Sequence, residues 1–157
     1  MDDLRELYQA TILGHNKKPR NFRVIEHASH EADGHNPLCG DQLTLYARVA
    51  DDGTLEDVSF QGSGCAISRA SASLMTDHVK GKTLADIDAD FDRFHELVTS
   101  SPSEEANTEG MGKLAVFAGV REYPMRVKCA TLAWHALSAA LESEPTATEM
   151  PSVSTEN

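Results

Sequence analysis

The segment from residue 42 to residue 75, QLTLYARVADDGTLEDVSFQGSGCAISRASASLM, carries the local patterns that decide the fold. Its first eight residues alternate apolar and polar side chains, which is typical of a strand with one buried face. Residues 51–53, Asp-Asp-Gly, then supply turn chemistry, and the alternation resumes around Val58 and Phe60. We therefore predict an antiparallel hairpin of two strands.

A helix follows the hairpin within the same segment. Apolar residues recur at helical spacing from Ile67 to Met75, and the pattern stops at Gly81. The glycine-rich turn before this helix puts Cys65 at the helix N-terminus. We expect the positive end of the helix dipole to favour the thiolate form of Cys65, with an inert buried thiol as the alternative.

The remaining patterns are mostly helical and surround this segment. Residues 17–37 are poorly patterned and predict a loop with short extended pieces, and residues 100–110 predict another loop. Three further helices are predicted: from Asp2 to Gly14, from Thr83 to Val98, and from about Pro124 to Leu141 with Cys129 near its start. This order indicates an α+β fold in which helices cover a small antiparallel sheet. We expect residues 1–142 to form one domain and residues 143–157 a disordered tail.

Composition and charge restrict the possible partners. The 157 residues include 40% hydrophobic residues, enough for one core. Fourteen basic residues against 25 acidic ones give a net charge of −11, which repels nucleic acids and anionic membrane surfaces, so neither is an expected partner. The sequence shows no signal-peptide pattern and no apolar run near the roughly 20 residues that cross a bilayer, so we expect a cytoplasmic protein with reduced thiols.

The three cysteines, Cys39, Cys65 and Cys129, are the chemically distinctive residues. A disulfide between two of them would leave the third unpaired, so metal binding or thiol chemistry explains them better. With Asp41 they offer three thiolates and a carboxylate, a donor set suited to a closed tetrahedral zinc site. Glycines next to Cys39 and before Cys65 permit tight turns that direct short side chains to one point. Spacing alone leaves open that the three cysteines are separate core residues.

Longer motifs around these residues resemble those of a known family. They are LYQATILGHNKKPRNF at 7–22, NPLCGD at 36–41, GSGCAISRASASLM at 62–75 and GVREYPMRVKCATLAWHAL at 119–137. Together they resemble the IscU-like (NifU N-terminal) family of iron–sulfur cluster assembly proteins, and within it the SufU-type branch. The resemblance covers roughly residues 4–141. It implies the IscU-like fold, with zinc bound by Cys39, Asp41, Cys65 and Cys129.

The residue before the third cysteine distinguishes the two branches of this family. IscU-type scaffolds have a histidine there, whereas SufU-type proteins have a basic residue and an added upstream segment, which correspond here to Lys128 and residues 100–118. Imidazole can bind a metal and a charged ammonium group cannot. The resemblance therefore favours a zinc-dependent sulfurtransferase. A scaffold that holds a transient iron–sulfur cluster on the same cysteines, and a purely structural zinc, are the alternatives.

The resemblance also implies a sulfur relay. A pyridoxal-phosphate cysteine desulfurase of the SufS type carries a persulfide, the Cys39 thiolate attacks its outer sulfur, and downstream proteins of the SUF system receive that sulfur. A histidine of the partner is expected to replace Cys39 at the metal while Cys39 reacts. Arg126 and Lys128 are candidates for contact with the partner or the persulfide, although basic residues on a helix are commonly solvent-facing.

Overall fold

The computed structural model describes residues 2–37, 40–143 and 152–154, with the backbone alone for residues 2–8 and 152. The described residues form helices and strands in the order α1 (Asp2–Lys17), β1 (His30–Asn36), β2 (Asp41–Val49), β3 (Leu55–Ser63), α2 (Ala66–Val79), α3 (Leu84–Thr99), a 3₁₀ helix (Gly112–Val120), α4 (Pro124–Glu142) and β4 (Ser152–Ser154). None of the helices described is long and apolar enough to cross a membrane.

The strands form one sheet in the order β3-β2-β1-β4. β2 pairs antiparallel with β3, with Leu45 opposite Phe60, which confirms the predicted hairpin. β1 pairs antiparallel with the other side of β2, while β4 runs parallel to β1. The predicted α+β class is confirmed, but the small sheet is mixed and not antiparallel throughout, because β4 joins its edge in the parallel direction.

β4 comes from the segment that was expected to be a disordered tail. Its three residues, Ser152–Ser154, pair with residues 33–35 of β1. Residues 144–151 and 155–157 lie outside the described residues, so disorder there stays a prediction. β4 could not be predicted from local sequence patterns, because it has only three residues and pairs with residues more than 100 positions away in the chain.

β1 is a second strand that the sequence analysis did not identify, since it lies in a region predicted to be a loop with short extended pieces. Its sequence, HEADGHN, has no branched apolar residue, yet its residues alternate between buried and exposed. The buried positions hold small or polar residues because α4 passes close to the strand. A Cβ at Gly34 would lie 3.1 Å from the Leu132 side chain and 3.4 Å from that of Ala136. Hydrophobic periodicity cannot detect a strand that is buried through such small residues.

The core lies between the sheet and the helices. Trp134 on α4 is 1% exposed and stacks on Phe94 of α3 with ring centroids 5.1 Å apart. Phe117 of the 3₁₀ helix meets the same Phe94 ring edge-on at 5.8 Å. Each such side chain contributes about 1.5–3 kcal/mol by leaving water. This core fixes α4, which carries one of the three cysteines, relative to the rest of the domain.

Helix boundaries follow the predicted signals closely. Thr83 caps α3 by accepting a hydrogen bond from the Asp86 N–H at 3.2 Å, which agrees with the predicted start of this helix at Thr83. α2 begins directly after Cys65, which is its N-cap residue. α1 is longer than predicted and continues past Gly14 to Lys17, because a single glycine weakens a helix without ending it.

Candidate metal centre

Three of the four predicted metal ligands come together in space. Asp41 is the first residue of β2, Cys65 caps α2, and Cys129 lies in the second turn of α4. Their ligand atoms all lie within 4.8 Å of one another. Asp41 is fully buried, Cys129 is 2% exposed and Cys65 is half-buried. Residues far apart in the sequence thus form one compact cluster of two sulfurs and a carboxylate.

Cys39, the fourth predicted ligand and the predicted acceptor of sulfur, lies outside the described residues. The residues on either side of it are described. Asn36, the last residue of β1, pairs with Asp41, the first residue of β2, so residues 37–40 form the connection that carries Cys39. Gly40 in this connection has a φ of +71°, a conformation that favours glycine. The role of Cys39 stays a prediction.

Asp41 and Cys65 are joined directly. Oδ1 of Asp41 accepts a hydrogen bond from the Cys65 backbone N–H at 2.7 Å, and its other oxygen, Oδ2, lies 3.8 Å from the Cys65 Sγ. The carboxylate therefore satisfies a backbone donor just before the first turn of α2 and leaves one oxygen turned towards the sulfur.

The surroundings of Cys65 favour its thiolate form. The pKa of this thiol is lowered from 9.0 to about 7, chiefly by the hydrogen bond with the Cys129 side chain. The N–H groups at the start of α2 act in the same direction, and the Cys65 Sγ accepts one from Ser68 at 3.4 Å. Burial and the negative charge of Asp41 oppose them. The expectation that the start of α2 favours thiolate at this position agrees with these contacts.

Cys129 has a polar neighbour that the sequence analysis did not single out. The Nδ2 of Asn36 donates a hydrogen bond to the Cys129 Sγ at 3.7 Å, and both residues are buried. Asn36 begins the NPLCGD motif, so its proximity to the Cys39 connection was visible in the sequence. Its contact with a cysteine 93 positions away depends on the docking of α4 against β1.

The two basic residues proposed to meet a partner differ in their settings. Arg126 is exposed, and its guanidinium carbon lies 4.4 Å from the centre of the Tyr123 ring. Lys128 directly precedes Cys129, is half-buried, and lines a groove together with Thr131 and Val153. Arg126 is thus presented at the surface beside an exposed aromatic ring, and contact with a partner or a persulfide remains a prediction for both residues.

The donor set of this cluster fits zinc. Donor atoms around a tetrahedral zinc lie about 3.5–3.8 Å apart when they are sulfur or oxygen, and the Cys65 Sγ and the Asp41 Oδ2 are 3.8 Å apart. Calcium and magnesium prefer oxygen ligands alone, which two sulfurs do not provide. Asp41, Cys65 and Cys129 would hold three positions of such a site, and Cys39 stays the predicted fourth ligand.

Comparison with known proteins identifies the family. The model of the NifU-like N-terminal domain matches residues 7–130, which is most of the chain. The chain belongs to the NifU-like N-terminal domain family. This family includes the IscU and SufU proteins of iron–sulfur cluster assembly, so the resemblance seen in the sequence motifs is confirmed.

Individual members of the NifU-like family match the chain over nearly its full length. The iron–sulfur cluster assembly scaffold protein IscU of Streptococcus pyogenes serotype M1 is 37% identical over 142 residues, covering 90% of this chain and 87% of the relative. The zinc-dependent sulfurtransferase SufU of Bacillus subtilis strain 168 is also 37% identical over 142 residues, covering 90% and 94%. Identity therefore does not separate a scaffold from a sulfurtransferase.

A solved structure supports the fold of this NifU-like chain. The Fervidobacterium islandicum AW-1 protein, provisionally described as an iron–sulfur cluster assembly scaffold protein for the SUF system, superposes with a TM-score of 0.78 at 34% identity. The match covers 87% of this chain and 98% of the other. The predicted IscU-like fold is thereby confirmed.

Proposed function

We propose that this protein is a zinc-dependent sulfurtransferase of the SUF iron–sulfur cluster assembly system. The observation that carries the proposal is the convergence of Asp41, Cys65 and Cys129 within 4.8 Å, next in the chain to a connection that contains a third cysteine. In this proposal Cys39 accepts sulfur from a SufS-type cysteine desulfurase and passes it to downstream assembly proteins. The name of the Bacillus subtilis relative, a zinc-dependent sulfurtransferase, supports the assignment.

The four predicted ligands divide into anchors and a reactive group. The anchors lie on elements that pack around one core, so their positions are held firmly. Asp41 belongs to β2, Cys65 caps α2 and Cys129 belongs to α4. Cys39 comes between β1 and β2 in the chain, and the family resemblance implies that it is the residue that accepts sulfur. Zinc, when bound, keeps thiol ligands deprotonated. We infer that Cys39 is the ligand that leaves to react while the other three residues stay in place.

The transfer itself is an exchange at sulfur. The Cys39 thiolate attacks the outer sulfur of the persulfide on the desulfurase cysteine. A sulfur–sulfur bond forms at Cys39, the donor's sulfur–sulfur bond breaks, and the donor cysteine departs as a thiolate. The reaction consumes no oxidant, because the oxidised sulfur pair already exists in the donor. Positive charge on Arg126 and Lys128 would stabilise the persulfide anion or bind an acidic surface of the desulfurase.

A scaffold for a transient iron–sulfur cluster is the second candidate function. The names of relatives from Streptococcus pyogenes and Thermotoga maritima favour it, since both are called assembly scaffolds. Thiolates also bind iron–sulfur clusters, so the same three anchors suit this role. Lys128 argues against it, because this position offers a charged ammonium group and no additional ligand.

Metal content and persulfide capture distinguish the two functions. The full chain is purified without added metal, and zinc, iron and acid-labile sulfide are measured per chain. It is then incubated with a pyridoxal-phosphate cysteine desulfurase and cysteine, alkylated, and mapped by mass spectrometry. The sulfurtransferase predicts about one zinc per chain, as the four-ligand site requires, and a persulfide on Cys39.

A Cys39→Ser variant provides the matched test of the acceptor. It is expected to remain folded and to lose both the persulfide and the stimulation of the desulfurase. Iron with stoichiometric sulfide in the wild type would favour the scaffold. Undiminished stimulation by a folded Cys39→Ser variant would contradict the relay and leave a structural role for the metal.

A further inference from the structure

We propose that Asn36 is a positioning residue that hydrogen-bonds the Cys129 thiolate and thereby sets the affinity and electronic character of the metal centre. The inference rests on the metal site of the proposed function and adds a residue to it. Asn36 was not among the predicted ligands, and its amide has no role in the sulfur transfer described above.

The position of Asn36 is fixed by the sheet. It is the last residue of β1 and pairs with Asp41 across the antiparallel ladder, so the two side chains project from the same face. Both residues are 0% exposed. The Asn36 side chain therefore enters the same buried space as the Asp41 carboxylate, beside the cluster of ligand atoms.

The Asn36 amide contacts one of the sulfurs of the cluster. Its Nδ2 donates to the Cys129 Sγ at 3.7 Å, a normal length for a hydrogen bond to sulfur. This bond joins the base of the Cys39 connection to α4, whereas Asp41 joins β2 to the start of α2. Each of the two anchoring cysteines is thus held by a side chain from the paired ends of β1 and β2.

The chemistry of the site gives this hydrogen bond a function beyond packing. Three thiolates and a carboxylate carry more negative charge than one divalent metal ion neutralises, so the buried site has an excess of negative charge. A donor aimed at one thiolate disperses part of that charge and fixes the direction of its lone pairs. Partners of this kind around metal ligands typically change metal affinity by about 10–100-fold.

The test makes two measurements on the full chain. The chain is loaded with Co²⁺, whose sulfur-to-metal charge-transfer absorption reports the electron density on the thiolates. Zn²⁺ affinity is measured separately by competition with a chelator. The variant Asn36→Ala removes the donor. Asn36→Asp keeps the shape but presents a carboxylate oxygen to the thiolate, and it carries the test if Asn36→Ala fails to fold. Asn21→Ala is the control, since the Asn21 amide bonds Thr76 at 3.0 Å and Asp77 at 3.1 Å, away from the ligands.

We expect Asn36→Ala to shift the charge-transfer band to longer wavelength and to weaken Zn²⁺ binding by about 10-fold or more, with a larger loss in Asn36→Asp. Asn21→Ala should lower the unfolding temperature and leave both readouts unchanged. Folded Asn36 variants with the wild-type band and affinity would overturn the inference and leave the proposed metal site intact. A wild-type chain that takes up neither Co²⁺ nor Zn²⁺ would overturn the metal site itself, and the inference with it.

Discussion

The side chain of Asp41 occupies the space that a side chain at Gly64 would need. A Cβ built on Gly64 would lie 3.0 Å from both the Cα and the Cγ of Asp41, and closer still to its Oδ1. The same Oδ1 accepts the hydrogen bond from the next backbone N–H, that of Cys65. The absence of a side chain at residue 64 therefore allows the carboxylate to cap the segment that carries the cysteine.

The substitution Gly64→Ala is expected to displace the Asp41 carboxylate. We expect a loss of about 2–3 kcal/mol in the free energy of unfolding, because the new methyl group overpacks the site and residue 64 has a positive φ of +158°. We also expect weaker Zn²⁺ binding, because the Asp41 carboxylate moves. Urea unfolding and chelator competition measure the two effects. Gly81→Ala is the matched control, since Gly81 also has a positive φ, of +86°, but nothing within 4 Å of its Cβ position. Equal effects of the two substitutions on Zn²⁺ binding would contradict the role of the contact with Asp41.

Removing the charge of Asp41 should lower the pKa of Cys65 further. The negative charge of Asp41 raises the pKa of this thiol, against the hydrogen bonds that lower it. Asp41→Asn removes that charge, keeps an oxygen for the Cys65 N–H, and turns an amide donor towards the sulfur. The pH dependence of iodoacetamide alkylation, resolved by peptide mapping of the metal-free protein, reports the change. A higher pKa in the variant would show that the charge of Asp41 does not act in this way.

The stability of the metal-free protein should depend on pH through Cys65. The folded protein releases the thiol proton at a pKa of about 7, whereas the unfolded chain holds it up to about 9. Thiolate is thus favoured in the folded state. The contribution is less than about 3 kcal/mol, because solvent screens the half-buried thiol. It is present above pH 9 and lost as the pH falls through 7. Urea unfolding at a series of pH values under reducing conditions measures the slope. Cys65→Ser should flatten the rise between pH 7 and 9, and an unchanged slope would assign it to other groups.

A buried carboxylate far from the metal centre in the chain should matter for stability alone. Asp90 is 2% exposed and its carboxylate meets Lys82 at 2.7 Å, His78 at 3.4 Å and Arg93 at 3.5 Å. Asp90→Ala leaves the Lys82 and Arg93 cations and the His78 ring without their shared partner. We expect a loss of about 2–3 kcal/mol, reduced from that of a fully buried pair because the Lys82 side chain is 34% exposed.

The control for Asp90 is a more exposed carboxylate with two cationic partners. Asp57 meets Arg23 at 2.6 Å and Lys80 at 3.3 Å, and its side chain is 19% exposed. Asp57→Ala should cost about 1 kcal/mol or less. Thermal unfolding compares the two variants, and Zn²⁺ affinity should stay at the wild-type value in both. A loss of metal binding in Asp90→Ala would show that this cluster supports the ligands after all.

Lys128→His should increase the capacity to hold iron. The substitution places an imidazole directly before Cys129, and a neutral imidazole can bind a metal where a charged ammonium group cannot. We expect more iron and sulfide retained per chain after anaerobic reconstitution, measured by visible absorption and by chemical analysis. Lys128→Gln removes the charge without adding a strong ligand and should behave like the wild type. Equal retention in both variants would mean that charge, and not ligation, controls iron binding.

Local patterns predicted most of the elements of this protein but not the whole sheet. The hairpin of β2 and β3 was predictable because its side chains alternate between a buried and an exposed face. α2 was predictable because its apolar residues recur at helical spacing from Ile67 to Met75, and α3 was predictable because Thr83 caps its first turn. β1 was not predictable from local patterns, because it contains few apolar residues. Gly34 and its neighbours are buried because α4 packs closely against them.

The sequence by itself determined the family and the chemical type of the site, because thiols and a carboxylate within long, specific motifs restrict the chemistry whatever the fold. It left open whether the cysteines share one site. The tertiary structure decided that question for Asp41, Cys65 and Cys129, whose ligand atoms meet only because α4 packs across β1 and β2. It also decided the contact between Asn36 and Cys129, since no local pattern relates residues 93 positions apart. Such contacts depend on how whole elements pack, and that packing is a property of the assembled core.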